Sequence, residues 1–252
     1  MGWVMTRLQD EKTTRRQDDK TMNNTISNVI RWLVIIATPF LLTVLTVRVL
    51  IAWNSPSYPA WEYGRIEPDR YGFTPAERLE LAEATLDYLQ RPEPAAEVIY
   101  LLEDLRIPGT DDSLYNPAEI GHMLDVKIVA DAFRTAMWVL LVIVVGGLIF
   151  LFARPQTRYQ GAKALFQGGV FTGTAVLVVM VFIGIGWSVF FTLFHDIFFD
   201  PGTWTFLYTD SLIRLFPEQF WFDFALLWTG SILLSGAVLL AVGYWLMKRL
   251  AS

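Results

Sequence analysis

Two histidines carry most of the chemistry open to this chain of 252 residues. His122 stands in EIGHMLDVK and His195 in FTLFHDIFFDPGTW. An unperturbed imidazole titrates at about pH 6.5, so it can take a proton and return it near neutrality. The sequence has no cysteine, hence no thiol nucleophile, no disulfide and no site for a lipid anchor of its own. Carboxylates accompany both rings: Asp125 follows His122 by one helical turn, and Asp196 is adjacent to His195. Two histidines and two carboxylates are legitimate zinc ligands, but neither HExxH nor a cysteine cluster singles out a metal. Three readings stay open on these residues: an acid–base pair, a metal site, or two unrelated polar anchors at a membrane surface.

The elements that position the rings are legible in the apolar pattern. Apolar residues make up 54% of the chain, above the roughly 45–50% of soluble domains. A membrane-crossing helix needs ~20 predominantly apolar residues. Four stretches qualify, at 29–53, 133–153, 168–194 and 222–247. Hydrocarbon offers no partner to a backbone amide, so each must be a helix. The expected fold is mainly α: a polytopic membrane protein with four transmembrane helices and a small extracytoplasmic domain, 54–130, between the first two. Residues 1–25 are polar and charge-mixed and are expected to be a disordered arm. Residues 154–167 form a cytoplasmic loop, and 195–221 an aromatic loop on the outer side. The first stretch is too long for a secretory signal and lacks a small-residue cleavage site, so it is expected to be retained.

Charge orients these spans. Arg7, Lys12, Arg15, Arg16, Lys20 and Arg31 lie before or at the first, Arg154, Arg158 and Lys163 between the second and third, and Lys248 and Arg249 after the fourth. Basic flanks mark the cytoplasmic side. The segment 54–127 holds fifteen acids against six basic residues, so it faces outward. This places both termini on the cytoplasmic side of a cell membrane. The net charge of −5 averages a basic inner and an acidic outer face and gives no footing for nucleic acid.

Both histidines then fall on the outer side. His195 directly follows an apolar run, whereas His122 precedes one by about a dozen residues, roughly 18–20 Å along a straight helix. They meet only if a helix tilts or breaks, or if the outer domain folds down. That domain carries two helix starts with one grammar. Thr74, Pro75 and Glu77 cap a helix that Pro92 ends, with Leu79, Ala82, Leu86 and Leu89 as its apolar stripe. Asn116, Pro117 and Glu119 cap a second helix, which carries His122. The stretch LEDLRIPGTDDSL between them reads as loop. Lys127, Asp131 and Arg134 have the spacing of a self-neutralising ladder. Arg48, near the outer end of the first span, either snorkels to the headgroups or holds a polar group of a ligand. Asp210 and Asp223 are placed to brace the aromatic loop, and Trp204, Phe206, Tyr208, Phe220 and Trp221 suit the headgroup layer. Gly169 and Gly173 suggest close helix approach.

The phrases YNPAEIGHMLDVK, FHDIFFDPGTWTF and LIRLFPEQFWFD resemble a family of four-span bacterial membrane proteins that includes the lipoprotein intramolecular transacylase. The resemblance covers nearly all of the chain after the arm. It implies an acyltransferase that moves the sn-2 acyl chain of a diacylglyceryl-modified N-terminal cysteine to that cysteine's own α-amino group. It makes His122 and His195 the catalytic pair. It leaves Arg48, Asp125, Lys127, Trp204, Asp210, Trp221 and Asp223 as candidates for binding or support. Partners would be a diacylated lipoprotein and membrane lipids, and neither metal nor other cofactor is implied. The same residues also suit two rivals, a non-enzymatic lipid- or partner-binding membrane protein and a metal-dependent membrane hydrolase.

Overall fold

In the computed structural model, residues 2–52 and 57–252 are described, with side chains from Met22 onward. The described backbone is almost wholly helical: α1 (Gly2–Ile51), α2 (Tyr58–Tyr63), α3 (Pro75–Gln90), α4 (Ala95–Val98), α5 (Tyr100–Glu103), α6 (Pro117–Ala153), α7 (Arg158–Ile185), α8 (Trp187–Phe198), α9 (Ser211–Leu215) and α10 (Glu218–Ala251). Four of these contain stretches long and apolar enough to cross a membrane: Met22–Ile51, Pro117–Ala153, Arg158–Ile185 and Glu218–Ala251. Many of their apolar side chains are bare, with Val142 at 71% and Ile185 at 80% exposure. A soluble protein rarely leaves such apolar area in contact with water, whereas lipid covers it at no cost.

Several elements differ from the sequence expectation. The polar arm is helical and continuous with the first span from Gly2 instead of disordered. Extending a helix that already exists costs little, because nucleation is the expensive step. Between Gly2 and Pro39 neither glycine nor proline interrupts α1. The expected boundary between the first span and the outer domain, at 53 and 54, lies outside the described residues. The loop between the second and third spans is shorter than expected, since α7 already begins at Arg158. The third span is not one rod to residue 194: it breaks at Gly186, and α8 runs on to Phe198. The stretch expected as loop begins in the last residues of the single turn α5 and holds an antiparallel bridge between Arg106 and Ser113, while α4 is a further single turn just before it.

The chain divides into two compact units. One gathers α1 to Leu41, Val139–Thr174 and Leu234–Ser252. Its helices approach through glycine: a Cβ on Gly169 would lie 2.6 Å from both the Gly236 carbonyl oxygen and the Leu240 amide nitrogen. Within it Arg31 donates to Gln160 Oε1 at 3.1 Å.

The other unit comprises Leu42–Trp138 and Ala175–Leu233. Its core is Tyr58, Phe73, Leu81, Ala82, Tyr88, Val98, Leu102, Leu114, Tyr115, Met123, Leu212, Leu215, Phe216 and Phe220. The capping box at Thr74 and Glu77 starts α3. The buried face of α3 is, however, Arg78, Leu81, Ala82, Thr85 and Tyr88, while Leu79, Leu86 and Leu89 are half-buried. Polar groups can be hidden there because each finds a partner. Arg78 donates to the carbonyls of Arg214 and Glu67 (both 3.0 Å), Thr85 Oγ1 pairs with the Tyr115 hydroxyl (2.6 Å), and the Tyr88 hydroxyl donates to the Met123 carbonyl (3.3 Å).

Candidate active site

Helix α6 opens with a reciprocal cap. Asn116 Oδ1 accepts from the amides of Ala118 (2.9 Å) and Glu119 (3.0 Å), and Glu119 Oε2 accepts from the Asn116 amide (2.7 Å). The second oxygen of Glu119 reaches further, accepting from the amide of Leu212 in α9 at 2.7 Å. This buried carboxylate therefore ties the start of α9 to the turn of α6 that precedes His122. Farther along α6, Lys127 is fully buried and donates to the Arg91 carbonyl at 2.8 Å and to Asp131 at 3.2 Å. Arg134 bonds the carbonyls of Arg91 and Pro92 (both 3.1 Å) and pairs with Asp131 at 3.0 Å. Three charges of one helix thus fix α6 to the end of α3.

His195 is placed by α8. At Gly186 the backbone leaves helical angles (φ −142°, ψ 47°), but its amide still donates to Phe182 and its carbonyl still accepts from Phe190, both at 2.9 Å. Only one residue is lost from the ladder. Glycine is the cheapest residue to lose there, having the poorest helix propensity after proline. After α8 the chain reverses through Asp200-Pro201-Gly202-Thr203, with the Thr203 amide bonded to the Asp200 carbonyl at 3.2 Å. Gly202 has φ +86°, the left-handed conformation required at the third position of such a turn, and proline presets the second. The turn returns Trp204 onto the ring of His195, with centroids 4.7 Å apart. Asp210 Oδ2 then accepts from the Leu207 amide at 2.8 Å, closing the loop before α9.

The two imidazoles meet. Their centroids are 6.3 Å apart and their planes 24° from parallel. Aromatic rings wall the pair: Phe199 and Phe206 lie 4.9 and 5.4 Å from His122, and Phe191 and Phe194 lie 4.1 and 5.5 Å from His195. His195 Nδ1 lies 2.7 Å from the Phe191 carbonyl. A carbonyl only accepts, so Nδ1 carries the proton and the lone pair sits on Nε2. His122 is 7% exposed, and its Nδ1 is buried with no partner among the described residues. The indole nitrogen of Trp204 is likewise buried without a partner. Asp125, one turn after His122, is half-buried, and no described residue bonds its carboxylate. Among the described residues no group of three or more His, Cys, Asp or Glu side chains is spaced to hold a metal ion.

Other sequence candidates lie elsewhere. Trp221 packs on Phe216, Phe220 and Phe224 (6.0, 5.5 and 6.1 Å). Asp223 accepts from Gln219 at 3.0 Å instead of bonding the backbone. Near them Glu62 is fully buried, and burial, with Asp223 adding, pushes its carboxyl up to about 7. Arg48 is half-buried in the last turn of α1, without an ion pair among the described residues. Sequence reasoning treated Glu119 as a cap alone and Phe206 as a headgroup-layer ring, and overlooked Phe191, Phe199 and the break at Gly186. For Gly186 a signal existed, since Gly184 and Gly186 interrupt an otherwise bulky apolar run.

Residues 32–221 match the family described as lipoprotein intramolecular transacylase Lit. An uncharacterised protein of Aquifex aeolicus (strain VF5) is 28% identical over 217 residues, covering 85% of this chain and 93% of its own. The in meso structure of the membrane-integral lipoprotein intramolecular transacylase Lit from Bacillus cereus superposes with a TM-score of 0.64 at 20% identity, over 90% of this chain and 98% of that one. Two further structures of that protein, with one histidine changed to arginine or to alanine, give TM-scores of 0.60 and 0.58. At that identity the structural likeness speaks for the fold.

Proposed function

We propose, because this chain belongs to the lipoprotein intramolecular transacylase family, that it moves an acyl chain from the sn-2 ester of a diacylglyceryl-cysteine to the α-amino group of the same cysteine. The product is an N-acylated lyso-lipoprotein. Ester-to-amide transfer runs downhill, so no nucleotide has to drive it.

The attacking amine must be neutral, and α-amines titrate at about pH 8, so a base at the site raises the reactive fraction. His195 is that base, since its Nε2 lone pair is free while Nδ1–H is held by Phe191. As the amine nitrogen bonds to the carbonyl carbon, its proton passes to His195, and the carbonyl electron pair moves onto oxygen. The intermediate collapses by breaking the carbon bond to the glycerol oxygen. His122 protonates that oxygen, and the proton on His195 restores His122. The phenylalanine walls keep water, the competing nucleophile, away from the ester. Asp125 and Arg48 supply opposite charges for polar groups of the substrate, while Lys127, Asp210 and Glu119 hold the scaffold. The termini face the cytoplasm and the histidines the outer surface, a reading supported by the basic inner flanks.

The observation that carries the proposal is the approach of two imidazoles to 6.3 Å among packed aromatic rings. The test is mass spectrometry of lipoprotein N-termini in cells expressing the protein. Wild type should yield the N-acyl lyso form. His122→Ala and His195→Ala should each lower its formation by about 10²–10⁴, the usual worth of acid–base catalysis, with unchanged melting. An unaltered acyl pattern in either variant refutes the scheme.

A further inference from the structure

We infer that Trp204 is a catalytic residue whose indole N–H donates to the oxyanion formed when the acyl ester is attacked. This rests on the transacylase reading above and adds to it the group that receives the developing negative charge.

Tetrahedral intermediates of acyl transfer put a full charge on the former carbonyl oxygen, and a prepositioned donor in a dry site stabilises it strongly. The walls of this pocket are poor in donors. Phe191, Phe194, Phe199 and Phe206 have none on their side chains. The Nδ1–H of His195 is committed to the Phe191 carbonyl. His122 is used to move a proton, and a group that gives its proton to the leaving oxygen cannot hold the oxyanion throughout. One donor remains against the His195 ring, Nε1–H of Trp204, which is buried with no acceptor among the described residues. Leaving such a group unmet costs about 1–3 kcal/mol, so a buried orphan donor calls for an explanation. A substrate oxygen at the histidine pair supplies one.

The backbone is built to put the indole there. The Pro201-Gly202 turn and the Asp210 bond to the Leu207 amide fix both ends of the segment carrying Trp204. Indole nitrogen donates only and does not titrate in the working pH range. It can therefore bind an oxyanion without competing for the proton that the imidazoles exchange. Trp187 gives a contrast: its Nε1 is also buried without a partner among the described residues, but its ring packs on Phe190, Phe191 and Phe222 and not on a histidine.

The experiment removes the N–H and keeps the ring. In the full-length protein in detergent or lipid, Trp204 is replaced by phenylalanine and, by nonsense suppression, by β-(3-benzothienyl)alanine, in which sulfur stands in place of the indole N–H. Turnover of a diacylglyceryl lipopeptide is measured for each. Both replacements should lower kcat by about 10²–10³, the measured worth of one oxyanion donor, with KM within about twofold. Melting of the benzothienyl protein should match wild type. A merely structural tryptophan would instead tolerate the isostere, so full kcat with benzothienylalanine overturns the inference while the transacylase reading stands. Wild-type protein that forms no N-acyl product would overturn both.

Discussion

Two regions of the unit that carries the histidines bury polar groups in opposite ways. In the lock between α3 and α9, every charge meets a partner. Asp69 accepts from Nη2 and Nε of Arg214 (2.9 and 3.2 Å) and from the amides of Phe73 and Tyr71 (2.8 and 3.1 Å). Burial would push the Asp69 carboxyl up, but the Arg214 guanidinium and these amides outweigh it and hold the carboxyl below its ordinary range. Arg78 lies 4.3 Å over the ring of Tyr63 and bonds two carbonyls. Around the histidines, by contrast, His122 Nδ1 and Trp204 Nε1 are buried without partners among the described residues, and aromatic rings surround them. The lock spends its polar groups on holding the fold. Around the histidines they are left unpaired among the described residues, at a cost in stability.

That contrast can be broken from the lock side. Arg214→Met strands Asp69, whose side chain is 2% exposed. Removing one partner of a buried pair costs about 3–5 kcal/mol. Melting should fall on the order of 10 °C, and Asp69→Asn in the same protein should recover part of it. The histidine variants should leave melting in place while activity disappears. If Arg214→Met melts like wild type, the lock is not what holds the unit.

Glu119 joins the two regions, so its loss should register in both. Glu119→Ala leaves the amides of Asn116 and Leu212 without acceptors, a cost of about 1–3 kcal/mol. It also loosens α9 against the helix bearing His122. A melting drop of several degrees together with at least a tenfold fall in kcat is expected. Loss of stability at unchanged kcat would make Glu119 a cap alone.

The smallest expected effect sharpens the comparison through pH. Glu62 is buried like the lock residues but unmet like the pocket, with neither oxygen bonded among the described residues. Its carboxyl is raised from 4.5 to about 7 by burial first and by Asp223 next, against the lowering influence of Arg65 and Tyr58. The folded chain then holds a proton that the unfolded chain releases. Stability from this group is full below about pH 4.5 and falls as pH rises through about 7. Wild type should melt lower at pH 8 than at pH 5 from this group. Glu62→Gln should remove that slope. Asp69 acts with the opposite sign and only in acid, so it does not mask the effect. A slope of equal size in Glu62→Gln would assign it to another group.

Much of this protein was determined by sequence alone. Hydrocarbon thickness sets how long an apolar run must be, and an amide in lipid has only its own helix to bond, so four spans follow from local composition. The starts of α3 and α6 are equally local, because a cap is settled within four residues: Thr74 to Glu77 and Asn116 to Glu119. The family was legible for a related reason, since its phrases are short and contiguous. Tertiary structure alone decided the rest. Nothing local says that Gly186 rather than Gly184 interrupts the third span, or that the second oxygen of Glu119 reaches α9. The stripe of α3 shifted toward Arg78, Thr85 and Tyr88 because distant carbonyls and a hydroxyl satisfy those groups. The meeting of His122 with His195 belongs to the same class. A contact between remote parts of the chain depends on how packed elements are tied together, and no run of neighbouring residues encodes it.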